Sequence, residues 1–202
     1  MRRQWMFGLA LLVFLTAGSV RAQTLEQPRA RQGYWIGVGL VEVVSHVTDE
    51  GRNRGTYTGQ GASFRIGQLL TERLGLALLV ETASFKKASD KGRIGGLTLE
   101  GSATVWRGLS AHIGVGLGYE SLTDQSSNDK SLRGGYGSNF LLGASYDFFP
   151  WHRRLSGGWA VTPTVDFHAA PDGNVHAYSL FFGLQGVWWS GLARSMLILP
   201  EE

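Results

Sequence analysis

Residues 111–120 read Ala111-His112-Ile113-Gly114-Val115-Gly116-Leu117-Gly118-Tyr119-Glu120. Apolar side chains hold the odd positions. Glycine or a polar residue holds each even one. Strict period two is the mark of a β-strand whose two faces meet different surroundings. A helix of period 3.6 does not keep ten positions in such alternation.

The pattern returns along the chain. Similar runs cover about 33–45, 60–70, 74–86, 95–106, 136–148, 158–169 and 176–189, making eight with the run at 109–120. Segments 46–59, 87–94, 121–135 and 170–175 between them are polar and read as long loops. Segments 71–73 and 107–108 read as tight turns, and 149–157 as a longer one. Long connections at one end and mostly short ones at the other predict an antiparallel up-and-down meander. The expected fold class is all-β, an eight-stranded barrel with both chain ends on the short-turn side.

Size decides which face points outward. The interior of an eight-stranded barrel is just wide enough for side chains to fill it. Tyr, Phe, Trp, Leu and Ile from eight runs would overfill it. The opposite face is largely Gly, Ala, Ser and Thr, and it fits. The apolar face therefore looks out, and eight outward apolar stripes require lipid as solvent. Closure also satisfies every backbone hydrogen bond inside hydrocarbon. Aromatics gather near the run ends: Tyr34, Trp35, Trp106, Tyr119, Tyr136, Tyr146, Phe148, Trp151, Trp159, Tyr178, Trp188 and Trp189. They suit the interfacial girdles of a transmembrane barrel. Pro163, on the outward face of the seventh run, lacks a ladder N–H and suggests a bulge or a local weak point.

Composition then finds its cause. The 202 residues include 29 glycines, no cysteine and a formal net charge of +3. Without cysteine there is no disulfide framework and no thiolate-held metal. Arg2 and Arg3 precede the apolar run Phe7–Leu15, and Val20-Arg21-Ala22 offers a cleavage site before Gln23. Residues 1–22 thus read as a cleavable signal peptide, too short in its apolar core to span a bilayer. Past it, 16 of the 19 basic residues face all 16 acids. A neutral mature chain gives no reason to expect nucleic acid as a partner. The glycines are small inward residues of a narrow lumen. Residues 23–32 read as a loose polar lead-in, 33–189 as the barrel, and 190–202 as a C-terminal tail.

Three phrases carry a family resemblance: Gly67-Gln-Leu-Leu-Thr-Glu-Arg-Leu-Gly-Leu76, Leu142-Gly-Ala-Ser-Tyr-Asp-Phe148 and Thr162-Pro-Thr-Val-Asp-Phe167. Over residues 33–189 the chain resembles the small OmpA-, OmpX- and OmpW-like outer-membrane β-barrels. The resemblance implies the outer membrane of a Gram-negative bacterium. It also implies insertion by the barrel-assembly machinery, which reads an aromatic-rich last strand; Trp188 and Trp189 could serve there. The chain departs from the pattern by continuing through Ser190 to Glu202 instead of ending on an aromatic.

Inward charges are the sharpest chemical feature. Arg65, Glu81 and Glu100 fall on consecutive strands at similar expected depth, and His112 and Asp166 can join them. Five inward acids (Glu81, Glu100, Glu120, Asp147 and Asp166) face one inward arginine. Buried charges need partners, so a lumen network that fixes register is expected. A proton or cation path is the functional alternative.

His168 and His176, with Asp166, Asp172 and Ser179, invite comparison with lipid-A-modifying barrel enzymes. A triad needs a base within reach of a hydroxyl and an acid to orient it. The lipid-A deacylase pattern His-x-Ser is here His168-Ala169-Ala170, without the serine. No metal-binding spacing occurs, and Gly114-x-Gly116-x-Gly118 lies within a strand with no helix after it, so no dinucleotide site is expected. The expected protein is a monomer without enzyme activity or cofactor, with a filled lumen and a structural or surface-interaction role. A narrow conduit for hydrophobic solutes would need an apolar lumen, and the inward faces read as polar. Lys86, Lys87, Lys91, Arg93, Lys130 and Arg133 fall in the long loops, at the height of lipopolysaccharide phosphates. Outer-membrane lipid and lipopolysaccharide are therefore the expected partners.

Overall fold

The computed structural model describes residues 31, 33–49, 52–87, 90–123, 132–150, 157–172 and 175–191. The signal-peptide reading and most of the lead-in and tail lie outside these residues, as do Trp151 and Lys130.

Eight antiparallel strands close into one barrel, in the order of the chain. They are β1 (Tyr34–Asp49), β2 (Arg52–Leu69), β3 (Leu74–Lys87), β4 (Asp90–Trp106), β5 (Leu109–Thr123), β6 (Leu132–Tyr146), β7 (Gly158–Asp172) and β8 (Val175–Trp189). β1 and β8 close the wall in continuous register from Trp35↔Trp189 to Asp49↔Val175. Seven seams are long. The β6–β7 ladder is short, from Phe140↔Ala169 to Ser145↔Thr164, with one further bridge at Phe148↔Val161. Pro163 keeps its β7–β8 register opposite Leu184, without a bulge, but the β6–β7 ladder stops beside it at Thr164, the local weak point expected there.

The strands are 14 to 18 residues long, well beyond the alternating runs. Most of 46–59 and 87–94, expected as loops, is strand. β1 runs to Asp49 and β2 starts at Arg52; β3 runs to Lys87 and β4 starts at Asp90. The reason is a reversal of polarity partway up the wall. In the lower part the outward residues are apolar: Leu40, Phe64, Leu78, Leu99, Val115, Leu142, Phe167 and Leu184, one from each strand, are all exposed. Higher up on β2–β4 the outward residues are Thr56, Thr58, Gln60, Thr82, Ser84, Lys86, Lys91 and Arg93. There the inward residues become apolar. Val41, Val43, Val47, Tyr57, Ala83, Phe85, Ile94, Ala177 and Phe181 form one buried cluster. The lower wall is sorted for lipid outside. The upper wall is sorted as a water-soluble protein is, with its core inside.

This corrects the expectation of a polar lumen throughout. The polar face holds in the middle of the barrel; the loop-side end is plugged by hydrocarbon. The Tyr57 and Phe85 rings lie 5.1 Å apart in that plug. A Cβ on Gly92 would collide with the Phe85 ring, so glycine there makes room for the plug. At the short-turn end Trp35 and Trp189 also point inward, 5.7 Å apart, and pack with Ala77, Ala160 and Val187. They do not belong to the girdle expected of them, because their neighbours Tyr34 and Trp188 take the outward positions of the same strands.

Candidate functional site

Between the two apolar ends lies a belt of buried polar groups. Arg65 of β2 is its hub. Its Nη2 donates to Asp166 Oδ2 at 3.1 Å, and its Nε stands 3.1 Å from Glu100 Oε2. His112 Nε2 lies 2.6 Å from Asp166 Oδ1 and donates to it. His112 Nδ1 is 3.8 Å from Glu100 Oε1. Four strands thus deliver one cluster of Arg65, Glu100, His112 and Asp166, every member buried. Gly143 makes it possible. It is the register partner of His112 on one side and of Asp166 on the other. A Cβ there would clash with Asp166 Oδ1 and His112 Nε2, so the two side chains meet across a bare backbone.

Glu81, the fifth expected member, has a different close partner. Register sets it opposite Ser63, whereas Arg65 is opposite Leu79 and Glu100 opposite Ala77, so Glu81 stands nearer the loop end. It faces His168, whose Nε2 is 2.9 Å from Glu81 Oε2. Asn139 Nδ2 lies 3.1 Å from His168 Nδ1 and donates to Thr98 Oγ1 at 2.8 Å. Alternation places Asn139 and His168 inside; register is what brings them to Glu81.

The lead-in supplies a second lumen arginine, which corrects the count of five acids against one. Arg31 Nη2 reaches Asp147 Oδ2 at 2.5 Å and also donates to the Gly108 carbonyl. Its Nη1 reaches Ser110 Oγ at 3.1 Å, and the guanidinium lies 5.8 Å from the Trp189 ring centre. Thr162 Oγ1 donates to Asp147 from the neighbouring strand β7 at 2.6 Å. One side chain thereby bridges the β4–β5 turn, the end of β6 and β8. Between Arg31 and the Arg65 cluster remains a cavity of about 40 Å³, lined by polar groups including Ser102, Ser145 and Gln185. That is room for a few waters, not for a solute stream.

No family model matches the sequence, and no curated protein matches it. Solved structures do. The attachment invasion locus protein Ail of Yersinia pestis, in complex with the heparin analogue sucrose octasulfate, superposes with a TM-score of 0.52 at 13% identity. The match covers 77% of this chain and 99% of that one. Neisserial surface protein A matches with a TM-score of 0.52 at 13% identity, over 78% of this chain and 97% of its own. The chain has the fold of the small outer-membrane β-barrels.

The outward apolar belt is sorted for lipid and ends in aromatics. Tyr34, Trp106, Trp159 and Trp188 lie outward at the short-turn end, with Tyr146 half-buried among them. Tyr119, Tyr136 and Tyr178 lie outward at the other boundary, where Tyr119 Oη is 3.0 Å from Thr82 Oγ1. Above them, Lys86 and Lys91 are register partners on β3 and β4, and Arg93 partners Ser84. All three cations are exposed on one outer wall. Lys87 and Arg133 hold register positions opposite Asp90 and Leu122.

Of the residues that suggested an enzyme, His168 and Ser179 are register partners and line one small cavity, and His168 bonds to Asn139. Ser179 Oγ donates to Ser45 Oγ at 2.8 Å, deep in the lumen. His176 is exposed on the outer face. Asp166 is engaged by Arg65 and His112.

Proposed function

We propose that this chain is a non-conducting, non-enzymatic protein of the Gram-negative outer membrane. It is a monomeric anchored platform that works through its outer wall. The observation that carries this reading is the occupied lumen. An apolar plug, a belt of paired charges and the Arg31 bridge follow one another along the barrel axis. The charged belt serves as the register-fixing core of the barrel and not as a catalytic set, and no cofactor is required.

The partner we assign to the outer wall is lipopolysaccharide. Lys86, Lys91 and Arg93 stand side by side above the aromatic boundary, where lipid A phosphates lie. Charge-assisted bonds from Lys and Arg favour such phosphates. The purified protein in planar bilayers is expected to give no discrete conductance steps; stable open steps would overturn the platform reading. The triple variant Lys86→Glu, Lys91→Glu, Arg93→Glu is expected to lose retention of lipopolysaccharide in mixed nanodiscs while keeping its heat-modifiable gel shift. Unchanged retention would remove lipopolysaccharide as the partner.

A further inference from the structure

The β6–β7 ladder pairs over six consecutive positions, with one bridge at Phe148↔Val161 toward the short-turn end, whereas β5–β6 pairs over fifteen. Beyond Phe140 and Ala169 both strands continue, β6 through Asn139 to Leu132 and β7 through Ala170 to Asp172, without joining. β6 keeps β5 and β7 keeps β8 over the same stretch, so the break belongs to one seam. Part of the cause is in the sequence. Pro171 has no N–H to give a ladder, and strand prolines belong at edges.

Depth makes the break consequential. Phe140 is still an exposed apolar residue of the lipid belt, and Tyr136 of the aromatic boundary lies four residues on. The gap therefore opens in the outer-leaflet part of the wall. Unpaired backbone groups in hydrocarbon cost too much to persist without a polar partner. Immediately inside stand Asn139 and His168, and behind them Glu81. A cavity of about 10 Å³ is lined by Glu81, Asn139, His168, Ala170, Ser179 and Phe181. It is the size of one water. Both carboxylate oxygens of Glu81 are buried without a hydrogen bond of good geometry among the described residues, despite the charge contact to His168.

We propose that the β6–β7 seam is a lateral water portal. Solvent at the outer-leaflet boundary enters between Asn139 and Ala170 and hydrates the Glu81–His168 pair from the side. The axial routes are occupied, by the Phe85–Phe181 plug above and by Arg31, Trp35 and Trp189 below.

The chain has no cysteine, so single cysteines report cleanly. In lipid nanodiscs Ala170→Cys is expected to react with a small water-soluble thiosulfonate at least about tenfold faster than Ala83→Cys in the plug, a ratio equal to about 1.4 kcal/mol. Equal rates would overturn the portal, as would faster reaction at Ala83→Cys, which marks entry from above. The unmodified protein gives an independent reading. Backbone amides of Gly137, Ser138 and Asn139 that face β7 should exchange with deuterium far faster than amides of the β7–β8 seam at the same depth. Equal protection would mean that the seam is sealed.

Discussion

His112 and Asp166 sit on strands that are not paired with each other, yet their side chains meet at 2.6 Å over the backbone of Gly143. The intervening strand contributes nothing but the absence of a side chain. Gly143→Ala is therefore expected to push the pair apart, costing roughly 1–3 kcal/mol as an overpacked site does. Urea unfolding in detergent micelles reads this. Asp166→Asn should cost less in the Gly143→Ala background than alone, because the two changes break the same contact. Simple additivity would show that Gly143 is not the enabling position.

Arg65 balances two buried carboxylates, Glu100 and Asp166. Its removal leaves them facing each other without the guanidinium between them. Arg65→Ala should lose about 3–5 kcal/mol, the usual result of breaking a buried pair from one side. Adding Glu100→Gln and Asp166→Asn should recover much of that loss. A triple variant no better than Arg65→Ala would mean that packing, and not charge, gives Arg65 its value.

Arg31 and Asp147 are expected to be coupled by about 0.5–3 kcal/mol in a double-mutant cycle of Arg31→Ala and Asp147→Asn. Thermal unfolding of the four proteins measures it. A coupling near zero would mean that Arg31 does not close the short-turn end.

The polarity reversal predicts opposite tolerance on one outer surface. Leu99→Lys, between Leu78 and Val115 on the belt, should destabilise by about 2–4 kcal/mol. Thr58→Lys, above the reversal, should be close to neutral. Inside, Phe85→Ala should cost about 3–5 kcal/mol as a large-to-small core change. Folding yield into vesicles and urea titration check all three. A Thr58→Lys variant as damaged as Leu99→Lys would place Thr58 in lipid.

The barrel was legible because its lipid-facing half alternates with a constant sign: Leu74, Leu76, Leu78 and Val80 out, Gly75, Ala77 and Glu81 in. The upper strands alternate just as strictly, with Tyr57 in against Thr56 and Thr58 out. Their sign is reversed, so a search for outward apolar residues reads them as polar loop. The inward charges were legible one by one, from alternation. Their partners were not, because register across tilted strands decides who meets whom. It sets Glu81 beside His168 and leaves Arg65 to Glu100 and Asp166. Arg31 gave no signal at all. Nothing in a polar lead-in announces which residue turns back into the lumen.

The reversal at Gln60, Thr82 and Gly95 amounts to a waterline painted on the hull. Sinking would press Thr58 and Lys86 into hydrocarbon; rising would lift Phe64 and Leu97 into water. Both movements are opposed, so the barrel rides at one draught. The bilayer has to adjust its thickness to the protein, and a membrane that cannot do so will exclude it.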